Sequence, residues 1–198
     1  MKIKVVESPP IDPREFDLPE AFTGENIEDV VEIFNTPLIG HYNWDYTDAD
    51  TRIKKLYELG KKLNWDGSID LDWSKGIKKG QTPIKAELIA RMEGPLAALP
   101  EEERLEYMWH DQAWGLSQFL HGEQGALLVA SQLVSCAPTY QAKLYAASQT
   151  FDEARHVEVF ARYIKEVSGV EYPINKNLKS LLDKILSDPR WDLKFIGM

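Results

Sequence analysis

Three residues sit where a solvent-facing role does not suit them. Glu123 falls within Leu116, Leu120, Glu123, Leu127, Ala130 and Val134, whose steps of four and three put all six on one side of a helix. Glu153 and His156 fall within Ala146, Gln149, Glu153, His156, Phe160 and Tyr163, a second stripe of the same period. Burying one unpaired carboxylate costs several kcal/mol, so two carboxylates and an imidazole on apolar stripes call for a cation, a shared proton or water. Carboxylate oxygens combined with an imidazole nitrogen, and no thiolate, suit iron or manganese, and also zinc. Gln149 shares the ligand face and could line a pocket beside it. The other histidines are excluded as ligands. His121 lies about 200° round the helix from Glu123, His110 about 20 Å along it, and His41 belongs to an N-terminal segment.

The elements that must position these groups are two long helices joined at Pro138. Pro100, followed by Glu101, Glu102 and Glu103, suits a helix start, because proline fits the first turn and carboxylates favour its positive end. No proline interrupts the run until Pro138. A second helix is expected from Thr139 to about Ser168, with Gly169 as its stop. Glu123 and Glu153 each lie 15 residues from Pro138. At a rise of about 1.5 Å per residue, both carboxylates are about 22 Å from the turn, so an antiparallel hairpin brings them level. Glu153 and His156, three apart, then project from one face towards Glu123.

Around this hairpin the pattern is less regular. Pro9, Pro10, Pro13, Pro19 and Pro37 break up residues 1 to about 45, leaving an extended arm with one short helix near residues 25–34. Residues 48–64 carry Ile53, Leu56, Leu59 and Leu63 at helical spacing, with Asp48 or Asp50 available as the cap. Residues 65–80 read as a loop, and Thr82-Pro83 opens a helix to about Glu93. Residues 177–186 form a shorter amphipathic helix, and Asp188-Pro189 opens a last one. Trp109, Trp114, Phe119, Tyr145, Phe151 and Phe160 are expected in the core and between helices. The expected organisation is an N-terminal arm, packing helix and linker over residues 1–80, followed by a helical domain over 81–198.

Glu123 in HGEQGALL, with Glu153 and His156 in FDEARHVEVF, reproduces one Glu on one helix and a Glu-x-x-His on its partner. On these residues the chain resembles the ferritin-like superfamily of di-iron carboxylate proteins. The DEARH string is similar to those of bacterial multicomponent monooxygenases and class I ribonucleotide reductase small subunits. The resemblance covers roughly residues 101–168 by motif. It implies an all-α, ferritin-like helical bundle, a di-iron cofactor held by Glu123, Glu153 and His156, and a non-haem oxidase or oxygenase using dioxygen on a small organic substrate. It also implies that Asp152 hydrogen-bonds the metal-bound histidine, the alternative for Asp152 being an exposed salt bridge to Arg155 or Lys143. Tyr163 is the nearest candidate for a redox-active tyrosine.

A complete site of this family uses a second Glu and a second Glu-x-x-His, and no histidine follows His156. Either the chain is the N-terminal part of a longer protein, or two copies pair their half-sites about a two-fold axis, as the encapsulated ferritins do. The second case goes with iron oxidation and storage. A metal-free helical interaction module is the remaining expectation.

Composition narrows the partners. At 198 residues, with 43% apolar and 28% charged residues, the chain suits one globular unit rather than a disordered or membrane-embedded one. A net charge of −9 argues against nucleic acid, whose phosphates need a concentrated basic surface. Cys136, the single cysteine, cannot form an internal disulfide and is expected to be buried as a small apolar group. The N-terminus lacks a signal-peptide core and no stretch is long enough to span a bilayer, so the expected location is the cytoplasm, without a membrane partner.

Overall fold

The structure is a computed structural model that describes residues 34, 36, 39–47, 51–76, 78, 81 and 94–198. The chain divides into Met1–Asn35 and Thr36–Met198, and the architecture below is that of the second unit. The boundary expected near residue 80 therefore falls inside this unit. The helix expected at 82–93, and all of the one expected at 25–34 but its last residue, lie outside the described residues.

Among the described residues the protein is an all-α bundle with five α-helices and no strand. They are α1 (Arg52–Lys62), α2 (Glu101–Cys136), α3 (Tyr140–Tyr163), α4 (Lys176–Ser187) and α5 (Trp191–Gly197). The hairpin forms as the sequence leads one to expect. Glu101, Glu102 and Glu103 occupy the first turn of α2, where their charge meets the unpaired N–H groups of the helix start. The chain leaves the helix at Ala137, and the side chain of Thr139 caps α3 by accepting from Ala142 N. Lys143 reaches back across the turn and donates to the carbonyls of Val134 and Ser135 at the C-terminal end of α2, 3.1 and 2.8 Å away.

Three local details differ from expectation. Thr51 caps α1 through Lys54 N, in place of Asp48 or Asp50. The last turn of the second long helix, Ile164–Ser168, is a π-turn that closes on Gly169 at φ +68°, a left-handed conformation that favours glycine. The final helix starts after Arg190, two residues later than Asp188.

Helix α3 packs against α2 on one side and α1 on another, while α4 and α5 pack on α2. The core cluster joins Val129, Leu133 and Cys136 of α2 to Ala146 of α3 and to Ile185 and Leu186 of α4. Cys136 is buried as expected. At the edge of this cluster Lys194 is wholly buried, and its ammonium donates to Gln132 Oε1, Ile185 O and Leu186 O at 2.6, 2.8 and 3.0 Å. The lysine thus caps the end of α4 through two carbonyls and ties it to α2 through Gln132.

The burial of α2 corrects the simple stripe. Its deepest positions are Ala113, Ser117, Val129, Ala130 and Leu133, whereas Leu116, Leu120, Glu123, Leu127 and Val134 are half-buried. Glu123 therefore stands on a shoulder of the helix, at the margin of the core. The aromatic expectation is met by Trp109, which is buried, and by Phe119 and Phe160, whose rings stack between α2 and α3 at 5.8 Å although Phe119 is exposed on its other side, whereas Trp114 and Phe151 are exposed. No helix among the described residues is long and apolar enough to cross a membrane.

Candidate metal centre

Glu123 comes from the middle of α2, and Glu153 and His156 from successive turns of α3. The equal distance of the two carboxylates from Pro138 becomes a contact. His156 Nδ1 lies 3.1 Å from Glu123 Oε2 across the hairpin and 3.0 Å from Glu153 Oε2 along its own helix. One donor atom from each residue falls within 4.8 Å of the others, so the three could hold a metal ion. Side-chain exposure is 12% for Glu153, 23% for Glu123 and 38% for His156, so the group opens outward on one side.

The electrostatics of the group call for a cation or a shared proton. A single Nδ1–H cannot serve two carboxylate oxygens equally well, and the carboxylates repel one another. Burial pushes the Glu153 carboxyl above its ordinary range and Glu123 adds to that, while His156 pulls the other way. A divalent cation relieves all three demands, because it replaces the proton and neutralises both oxygens. Oxygen donors with one neutral nitrogen fit iron, manganese or zinc, and the donor set alone does not choose among them.

The group lines an open depression of about 410 Å³, together with Gly122, Ala126, Gln149 and Met198. Gly122 and Ala126 are one turn apart on α2, and a Cβ added at Gly122 would meet nothing within 4 Å. Small residues thus keep the space beside the ligands free. Gln149 lies one turn before Glu153. Its Nε2 makes a long contact of 3.9 Å to Met198 Sδ, and its buried Oε1 has no hydrogen-bond partner among the described residues.

Asp152 is held elsewhere. Its carboxylate pairs with the Arg155 guanidinium rather than with the His156 ring. Against His156 the structure places Trp65, with ring centroids 6.1 Å apart and planes at 23°. Nothing in the local pattern of residues 65–80 marked this contact, because it depends on the tertiary path of a loop. Tyr163 ends α3, two turns beyond His156, and does not line the depression. His110 and His121 stand apart from the group, and both hold the segment after Gly169 through Tyr172, His110 at the phenol and His121 at the carbonyl.

Fold and site together define an all-α protein with a carboxylate–carboxylate–histidine group on a helical hairpin. Comparison with known proteins finds no match among family models, curated proteins or solved structures.

Proposed function

We propose that this chain supplies half of a non-haem di-iron oxidase or oxygenase centre, with Glu123, Glu153 and His156 as ligands and a small organic molecule and dioxygen as substrates. The observation that supports the reading is the convergence of two carboxylates and one imidazole, from two helices, within 4.8 Å. Iron bound there supplies the electrons for reducing dioxygen. The protein's own part is to balance the metal's charge with Glu123 and Glu153, give it one neutral nitrogen from His156, and hold substrate in the depression beside Gln149 and Met198. The open side of the group is where the remaining ligands of a two-metal centre enter, from a second copy of this chain or from another segment.

The test is anaerobic loading with ferrous iron, followed by metal analysis and oxygen consumption. Stoichiometric iron that is lost in Glu153→Ala supports the ligand set. Sustained oxygen uptake that depends on an added reductant then supports an oxidase or oxygenase, whereas uptake of many irons per chain assigns the site to iron oxidation and storage. A protein that takes up no iron, manganese or zinc is the helical interaction module, in which the three groups share a proton.

A further inference from the structure

The segment after α1 is laid along α3 by a repeated contact. Arg155 Cζ sits 4.8 Å from the Trp65 ring, and Arg162 Cζ sits 4.2 Å from the Trp73 ring. Arg155 and Arg162 are two helical turns apart, so each guanidinium meets one tryptophan of the segment in the same manner. Between them Gly67 lies buried on Val159, where a Cβ would come within 2.6 Å of Cγ2, so only glycine lets the backbone approach so closely. Trp73 Nε1 donates to Gly67 O at 2.6 Å and closes the segment on itself. Residues 65–76 thus form a strap seated on the face of α3 that carries positions 155, 159 and 162.

The anchor of the strap is Arg155. It is buried, donates from Nη1 to Trp65 O at 2.6 Å, and pairs through Nη2 with Asp152. Phe151 covers it at 5.3 Å. Trp65, held at both its carbonyl and its ring, then lies against the imidazole of His156. A histidine ligand works only when its ring plane aims the correct nitrogen at the metal, and the atoms that fix that plane set much of the affinity.

We infer that Trp65 is a positioning residue for His156: Asp152 fixes Arg155, Arg155 fixes Trp65, and the indole fixes the imidazole plane with Nδ1 towards Glu123 and Glu153. The inference rests on the metal-binding reading of the site. Its support is the continuous chain of contacts from Asp152 to His156, in which a flat side chain, not a hydrogen-bond acceptor, meets the ring.

Cobalt(II) titration of Trp65→Phe and Trp65→Leu tests it, with wild type and Glu153→Ala alongside. Both variants are smaller than tryptophan and leave part of its space empty, but only phenylalanine keeps a flat face. Trp65→Leu is expected to bind cobalt about 10-fold more weakly, whereas Trp65→Phe stays within about 3-fold of wild type, and both retain the wild-type far-ultraviolet circular dichroism. Cobalt is also expected to quench a component of the tryptophan emission in wild type that is missing in Trp65→Phe. Equal affinity in the wild type and Trp65→Leu overturns the positioning role while leaving the metal site intact, as does a quench that survives in Trp65→Phe. Wild type that binds no cobalt overturns the metal site itself and the positioning role with it. If Trp65→Leu does not fold, the quench in Trp65→Phe and its retained affinity decide the matter.

Discussion

Glu153 carries the sharpest consequence at the scale of single residues. Its carboxyl titrates above the ordinary range because it is buried, with Glu123 adding to the effect. Between the ordinary and the raised value the folded state binds more protons than the unfolded one, so stability falls as pH rises through that window. Metal-free protein therefore bears a cost at neutral pH that Glu153→Gln removes. The variant is expected to be more stable than the metal-free wild type by roughly 1 kcal/mol at pH 7.5, with the gain fading as pH falls towards the ordinary carboxylate range. Urea unfolding with a chelator present measures this. Metal affinity should run the other way and weaken as pH falls, because protons compete for the same oxygens. Lys194 makes a second case. Lys194→Met keeps the stem but leaves Gln132 Oε1 and the carbonyls of Ile185 and Leu186 without their cation, and a loss of roughly 2–4 kcal/mol is expected in the same assay. The convergence of Glu123, Glu153 and His156 was legible from spacing, because their equal distance from Pro138 and a polar residue among apolar ones are local signals. Lys194 was not, since its acceptors lie on α2 and at the end of α4, and a lysine in a short terminal helix reads as solvated.

At the scale of elements, what the sequence reveals depends on how local the cause is. The start of α2 follows from Pro100 and Glu101 to Glu103, that of α3 from Thr139, and the close of the π-turn after α3 from Gly169, all within a turn of the boundary they set. The depth of each face does not follow so readily. Helix α2 carries apolar residues over more than half its circumference, and it is the arrival of α4 and α5 that buries Val129 and Leu133 while leaving Leu120 and Leu127 at the margin. The strap is invisible for the same reason. Its tryptophans have no periodic partner in their own segment, only arginines some 90 residues further on. Helix α4 supplies a test of the local kind. Asn175 caps it by accepting from Asn177 N and Leu178 N, and it also donates from Nδ2 to Gln118 on α2. Asn175→Asp keeps the cap and loses only the donor, whereas Asn175→Ala loses both. The alanine variant should therefore lose about 1–2 kcal/mol and the aspartate variant less than half of that, as read from thermal or chemical unfolding.

For the whole molecule, the candidate centre links stability to metal. Glu123 belongs to α2, Glu153 and His156 belong to α3, and these two helices form the central hairpin on which every other described helix packs. A cation shared by both helices binds the folded hairpin and finds no such convergence in the unfolded chain, so it must stabilise the fold by mass action. At a hundredfold excess over the dissociation constant the gain is about 2.7 kcal/mol, which for a folded unit of this size raises the unfolding temperature by about 5–10 °C. Ferrous iron or manganese added without oxygen should produce that rise, and a chelator should reverse it. In Glu153→Ala the shift should vanish, while the surface substitution Glu58→Ala, whose partner is the exposed Lys61 on α1, should leave it unchanged. A rise of the same size in Glu153→Ala would mean that the stabilising metal binds elsewhere, and the hairpin's three groups would then be a hydrogen-bonded network serving the fold alone.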